Sequence, residues 1–319
     1  MKKENPLSDI LLELSDALED LALLLAKQKA YDPALYARFR QLTAKIRTAG
    51  QKAVAVQTLT PRQQLKKAYK KGFLKNWLIE KNVKIGRALE SFKVDDKLFK
   101  VADFLADHYD QLEDFYHKLK ISQVRKKDEF IFTSTRSYIN YIRKWAQMLV
   151  KAKLIDGFET LNARTIEVDT ALIKEATSFI NGLWLEVFLR SEIARFMLHN
   201  YRRIRSFDLL SDIEVVLPNN QAGELDVLVM INEHVFWFEC KSGKIGKEYY
   251  DKYGYINRQV FHLDDGHSFL LLPDLEMHQP RIIEERTGMK AVFARDLDKI
   301  LPMLFAPAFD DDNSSAKAS

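Results

Sequence analysis

A single cysteine, Cys240, is all the thiol chemistry in this chain of 319 residues. A lone thiol excludes an intramolecular disulfide framework and any Cys-x-x-Cys or Cys-rich zinc site. No stretch of about 18 uncharged apolar residues occurs, which excludes a membrane-spanning helix. The start, Met1-Lys-Lys-Glu-Asn-Pro, leads into apolar residues interrupted by Asp9, Glu13, Asp16, Glu19 and Asp20. That pattern is not a secretory signal peptide, so the cytoplasm is the expected compartment and no membrane partner is expected. Nucleophile elbow, Walker loop and dinucleotide fingerprint are all missing. His234, His262, His267 and His278 are scattered without metal-ligand spacing and read as loop and surface residues. Cys240 lies within an apolar strand and reads as a packing residue rather than a reactive one.

What the chain does contain is 47% apolar and 29% charged residues, the mixture of an ordinary globular protein, with length for two or three domains. The net charge of +4 hides an asymmetry: residues 1–170 carry 32 basic and 22 acidic side chains, net +10, and residues 171–319 carry 17 and 23, net −6. Acid is wholly lacking from Pro33 to Ile79, where Arg38, Arg40, Lys45, Arg47, Lys52, Arg62, Lys66, Lys67, Lys70, Lys71 and Lys75 all fall. Such a stretch is either a surface facing a polyanion or a solvated helix face balanced by acids elsewhere in the fold.

The periodicities predict an α+β chain in three folded parts and a tail. Residues 1–120 read as a basic, all-α region. Ile10, Leu11, Leu14, Leu18, Leu21, Leu24 and Leu25 form one apolar stripe, used for intramolecular packing or as a homodimer seam. Ser8 or Asp9 can cap that helix. Asp32-Pro33 and Thr60-Pro61 are cap-then-proline signals for two more helices, the second interrupted near Gly50 and the third reaching about Leu89. A fourth runs from about Asp96 to Leu119. In residues 121–170, an amphipathic segment from Thr133 to Ile155 precedes two β-prone runs, Phe158 to Leu161 and Arg164 to Val168. This is either a winged-helix-like unit, with Arg136, Arg143, Lys144, Lys151 and Lys153 meeting phosphates, or a bridge between domains. Residues 171–305 read as α-β-β-β-α-β. Residues 306–319 form a polar tail without periodicity, expected to be disordered.

Chemistry concentrates in the third part. In Glu224-Leu225-Asp226 and Glu239-Cys240-Lys241, residues i and i+2 share a strand face. Adjacent antiparallel strands can therefore present Asp226, Glu239 and Lys241 on one surface, with Leu225 and Cys240 buried on the other. Glu186 lies on the preceding helix. Hard divalent cations such as Mg²⁺ take carboxylate oxygens and complete their octahedron with water and phosphate. A neighbouring lysine can orient the attacking water or stabilise charge developing on phosphorus. The bland reading is an exposed charged face of a meander; such apolar strands as Val235-Phe-Trp-Phe make a clustered carboxylate face the more informative one.

Asp226 followed thirteen positions later by Glu239-Cys240-Lys241 resembles the PD-(D/E)xK nuclease superfamily. The longer string resembles the nuclease domain of CRISPR ancillary effectors that carry a CARF sensor. Matching residues are Gly182, Trp184, Leu185 and Glu186; then Glu224, Leu225, Asp226 and Val227; then Phe238, Glu239, Cys240, Lys241 and Gly243. The resemblance spans roughly residues 150–305 and implies a restriction-endonuclease-like core. It implies that Asp226 and Glu239, assisted by Glu186, bind Mg²⁺ or Mn²⁺, and that Lys241 is the catalytic lysine. The Cys240 carbonyl would add a backbone ligand, and Glu224 an accessory one. In related nucleases the helix after the motif contacts substrate backbone, which here points to Lys252, Arg258 and Gln259, while Tyr249, Tyr250, Tyr253 and Tyr255 read as packing. Leu225 stands in place of the motif's proline. The N-terminal half shows none of the alternating strands and helices of a CARF sensor, so activation by cyclic oligoadenylate is not carried over. The expected activity is metal-dependent hydrolysis of the phosphodiester bonds of DNA (or RNA), with the basic helical half gripping the substrate backbone. The alternative is a nucleic-acid-binding or scaffold protein with an inactive nuclease-like domain.

Overall fold

The computed structural model describes Leu14, Arg38 and residues 41–46, 60–90, 95–264, 266–274 and 280–310. Backbone proximity divides the chain into Met1–Thr60 and Pro61–Ser319. In the first unit, Leu14 is helical and exposed, and residues 41–46 are helical with Thr43 buried. The rest of the leucine stripe, the Asp32-Pro33 signal and Gly50 lie outside the described residues, as do Arg40, Arg47 and Lys52 of the basic stretch.

The second unit is built on a six-stranded sheet in the order β1-β5-β6-β7-β8-β9. Its strands are β1 (Lys84–Ile85), β5 (Phe207–Val216), β6 (Ala222–Ile231), β7 (His234–Cys240), β8 (Ser268–Leu272) and β9 (Lys290–Phe293). β1, β5, β6 and β7 are antiparallel neighbours, whereas β7, β8 and β9 run parallel. The turn between β6 and β7 places Asn232 and Glu233 at positive φ, 48° and 76°, as a two-residue hairpin turn requires. Helices α6 (Lys174–Ser178), α7 (Trp184–Asn200) and α8 (Lys247–Tyr255) flank the sheet in the order expected from sequence.

The central strands are nearly continuous apolar runs because both faces are covered. On one face Val227, Val229, Ile231, Phe236, Phe238, Phe269 and Leu271 join a core with α7 and with α10 (Leu297–Leu304). On the other, Leu228, Met230, Val235, Trp237, Leu270 and Leu272 pack with α2 (Phe73–Glu80) and α8. Odd and even positions thus face different cores, as the two-residue strand period demands.

A second sheet, β2-β4-β3, is antiparallel and comprises β2 (Glu129–Thr133), β3 (Ile155–Thr160) and β4 (Thr165–Thr170). In chain order the segment runs β2, α5 (Ile139–Lys151), β3 and β4, with the β3–β4 hairpin pairing its second strand to β2. Ile142 and Trp145 of α5 and Ile166 and Val168 of β4 lie in the same core as α3 (Asp96–Asp107), α4 (Tyr109–Val124) and α7. Asp95 caps α3, its carboxylate accepting from the Lys97 N–H at 2.7 Å.

Four expectations change. The helix begun at Pro61 ends at Ala68 as α1; Gly72 at φ 86° breaks the path before α2 starts, and the chain then enters β1 instead of staying helical to Leu89. His108 interrupts the helix expected over 96–119, leaving α3 and α4. The amphipathic segment starts at Ile139 rather than Thr133, because Thr133 closes β2 against Thr165. Residues 306–310 are folded: Ala308 and Phe309 of α11 (Pro307–Asp310) are buried, with Phe309 against Phe196, while residues 311–319 lie outside the described residues. Among the described residues, no helix is long and apolar enough to cross a membrane.

Candidate active site

The β6–β7 ladder runs from Ile231 opposite His234 to Val227 opposite Phe238, and stops one step short of Asp226 and Glu239. Side chains take over there. The Asp226 N–H donates to Glu239 Oε1 at 3.3 Å, and the Cys240 N–H donates to Asp226 Oδ2 at 2.6 Å. Glu239 Oε1 also accepts from Trp237 Nε1 at 3.0 Å, and the Tyr253 hydroxyl of α8 bonds the same carboxylate. Each acid of the motif therefore holds the main chain of the opposite strand.

The distortion starts in β5. Asp212 adopts φ 50°, and the β5–β6 ladder skips the pair Asp212 and Asp226 without changing register, with Ser211 opposite Val227 on one side and Ile213 opposite Leu225 on the other. As a result Leu225 and Leu228 join the same core, although three residues apart, and Cys240 packs against the other one. The expected common burial of Leu225 and Cys240 on one face does not occur, because the strand alternation breaks at Asp226, where the ladder is interrupted.

Four acids of the motif region hold their protons unusually well. Burial, then the Asp226 and Glu224 charges, push Glu186 up to about 8, against a compensating pull from Arg190. Glu224 rises to about 7, first through a hydrogen bond with the Asp212 carboxylate and then through burial. Burial pushes half-buried Asp226 up to about 6, despite the Cys240 N–H and the Lys252 and Lys241 charges. Glu239, which is 2% exposed, lies well above the carboxylate range through burial and the Asp226 charge. Burial likewise drives the Cys240 thiol well up, with Asp226, Glu186 and Glu239 adding to it, which makes it a poor nucleophile.

The lysines of this region are placed differently from one another. Lys241 lies with its Nζ 3.4 Å from the centre of the Tyr249 ring. Lys252 donates to the Glu224 carbonyl at 3.2 Å, and its charge reaches Glu224, Asp226 and Glu239. The other expected substrate contacts stand apart from the acids. Arg258 donates to the Glu285 carbonyl at 2.6 Å, tying its helix to α9 (Pro280–Thr287), and Gln259 is exposed beside it. Arg143 donates to the Asn162 carbonyl at 2.8 Å in the β3–β4 turn, and Lys144 covers the Phe104 ring at 4.8 Å. His234 and His267 stack on each other at 5.7 Å, away from the motif acids.

Sequence reasoning passed over several members of the site. Asp212 couples to Glu224 and pairs with Arg87 at 3.1 Å; an acid inside the apolar run Leu209-Leu-Ser-Asp-Ile is the signal that marks it. Tyr253, Trp237 and Lys120 left no signal, since their relation to the motif is wholly tertiary.

In donor chemistry the site fits a hard divalent cation. The available atoms are carboxylate oxygens, whose raised affinity for protons reflects burial first and the charges of neighbouring acids second. Among the described residues, however, no three His, Cys, Asp or Glu side chains are grouped so as to hold one ion.

Several solved structures resemble the chain, among them these two. Protein VC1899 from Vibrio cholerae aligns at 18% identity over 73% of this chain and 61% of its own, with a TM-score of 0.52. Can2 from Sulfobacillus thermosulfidooxidans, solved in complex with cyclic tetra-adenylate, aligns at 16% identity over 74% of this chain and 61% of its own, with a TM-score of 0.51. The chain thus spans about three fifths of either protein, and at such identity the likeness is one of fold. No family model and no curated protein matches.

Proposed function

We propose that this chain is a metal-dependent nuclease that hydrolyses phosphodiester bonds of DNA or RNA. The observation that carries the reading is the Glu186, Glu224, Asp226 and Glu239 constellation, in which burial and mutual repulsion keep carboxyls protonated beside Lys241. Retaining such a group of acids is costly unless a cation neutralises it. The fold likeness to VC1899 and Can2 and the PD-(D/E)xK resemblance support the same reading.

Asp226 and Glu239 would hold Mg²⁺ or Mn²⁺, assisted by Glu186, with Glu224 and the Cys240 carbonyl as accessory oxygens. Such an ion supplies Lewis acidity and a water of lowered pKa. Trp237 and Tyr253 fix the Glu239 carboxylate by hydrogen bonds. Lys241 would carry its ammonium to the charge that develops on the phosphoryl oxygens. Exposed Arg62, Lys66, Lys67 and Lys70 would attract the polyanion, whereas Lys71 and Lys75 are engaged by Glu90.

Single- and double-stranded DNA and RNA, incubated with Mg²⁺, Mn²⁺ or EDTA, test the proposal. Metal-dependent products are expected from the wild type, and Asp226→Ala, Glu239→Ala and Lys241→Ala should each lose them while still folding. Full activity in Asp226→Ala sinks the site assignment. A second reading, binding without cleavage, draws on the lack of a three-ligand group among the described residues; stable binding with no product under any metal selects it.

A further inference from the structure

Lys120 belongs to α4, more than a hundred residues before the acid-rich motif, yet it shares a hydrogen-bond partner with Ser242, the residue after Lys241. Its Nζ donates to the Asn181 carbonyl at 3.2 Å and lies 5.9 Å from the centre of the Tyr116 ring. The Ser242 hydroxyl, next to Lys241, donates to the same carbonyl at 3.4 Å. That carbonyl is presented by a local break in the helical path, where Gly182 takes φ 151° and stands so close to Ser242 that a Cβ would lie 3.0 Å from its hydroxyl. Lys241 rests on the Tyr249 ring. Burial, and after it the Lys241 charge, hold the Lys120 ammonium below its ordinary value. Among the described residues, neither lysine forms an ion pair with a carboxylate.

Two half-buried ammonium groups that feel each other's charge, each beside an aromatic ring, repel one another until an anion joins them. An ammonium meets phosphate as a compact point charge with three donors. The arrangement also has a direction, since the Lys241 charge is felt by Asp226 on one side and by Lys120 on the other. We infer that Lys120 and Lys241 form an anion subsite beside the carboxylates, which seats a backbone phosphate of a bound polynucleotide and positions the strand for attack. The inference rests on reading the site as one for nucleic acid, and it makes Lys120 a positioning residue contributed by the helical part of the chain.

The test is fluorescence anisotropy of the full chain with a labelled single-stranded 12-mer, as DNA and as RNA, in EDTA so that binding is read without cleavage. Lys120→Met should weaken binding roughly tenfold or more in at least one arm, the scale of a charge-assisted hydrogen bond. It should also make the slope of log K against log salt shallower by about 0.7, the share of one phosphate on a single strand. Lys120→Arg should restore most of both, and excess inorganic phosphate should compete with the oligonucleotide for wild type more than for Lys120→Met. Unchanged affinity and slope in folded Lys120→Met overturn the inference, as does a wild type that binds neither oligonucleotide. Should Lys120→Met not fold, acetylation footprinting of the wild type decides: protection of Lys120 by the oligonucleotide supports the subsite, and undiminished labelling overturns it. Lys120-dependent binding without cleavage would retain the subsite and reject the nuclease reading. Metal-dependent cleavage with unchanged Lys120→Met binding would do the reverse.

Discussion

Replacing Glu186 by glutamine should stabilise the protein at alkaline pH and leave it unchanged in acid. In the folded chain Glu186 keeps its proton up to about pH 8, through burial, Asp226 and Glu224, whereas an unperturbed glutamate loses it near 4.5. Between those values the unfolded state binds fewer protons than the folded one, so stability falls as pH rises, and above about 8 the loss is complete. At about 1.4 kcal/mol per pH unit the full loss from Glu186 is about 5 kcal/mol, of which about 4 is already present at pH 8. Glutamine has the shape of the protonated acid and never ionises, so Glu186→Gln escapes it. The four tryptophans, Trp77, Trp145, Trp184 and Trp237, all lie beyond Pro61, so intrinsic fluorescence reports the second unit alone. Melts in EDTA should give matching midpoints near pH 4 and a variant higher by roughly 8 °C at pH 8. Mn²⁺ should then narrow the gap at pH 8 by stabilising the wild type. A Glu186→Gln protein no more stable than wild type at pH 8 in EDTA refutes the claim that this acid is held in an unneutralised cluster.

Three further substitutions test the frame around the site. Phe238, wholly buried and stacked 4.9 Å from Phe269, should cost about 3–5 kcal/mol as Phe238→Ala, measured by urea denaturation. Gly182→Ala places a Cβ 3.0 Å from the Ser242 hydroxyl at φ 151°, so a loss of about 1–3 kcal/mol is expected in thermal melts; an unchanged midpoint would show that the kink relaxes freely. Asp95→Ala removes the N-cap of α3 and should cost about 1 kcal/mol, read as a lower denaturation midpoint with unchanged urea dependence.

Local patterns carried the parts of the fold that depend on neighbours in sequence. β5, β6 and β7 were legible as apolar runs cut by Pro-Asn-Asn and Asn-Glu turns, and β8 and β9 as short apolar runs after polar segments. The acids of the motif were legible because i and i+2 share a strand face. β1 was not, since two residues, Lys84 and Ile85, become a strand only by pairing with Val216 and Val215. Nor was β2, whose partner β4 lies across α5 and the β3 strand. The helical reading of 61–89 failed because apolar periodicity continues through Gly72, while the backbone at φ 86° does not.

The sequence alone therefore determined which residues supply acid and lysine, the order of the strands that hold them, and the opposed charges of the two halves. Tertiary structure decided how those groups meet. The β5–β6 ladder breaks at Asp212 and Asp226, Asp226 and Glu239 bond each other's strands, burial shared among the acids raises their proton affinity, and α4 places Lys120 where it feels the Lys241 charge. The physical reason is range. Periodicity and turn chemistry act over a few residues and are written in the chain, whereas desolvation and Coulomb interaction depend on distance in space and arise only when remote segments pack together.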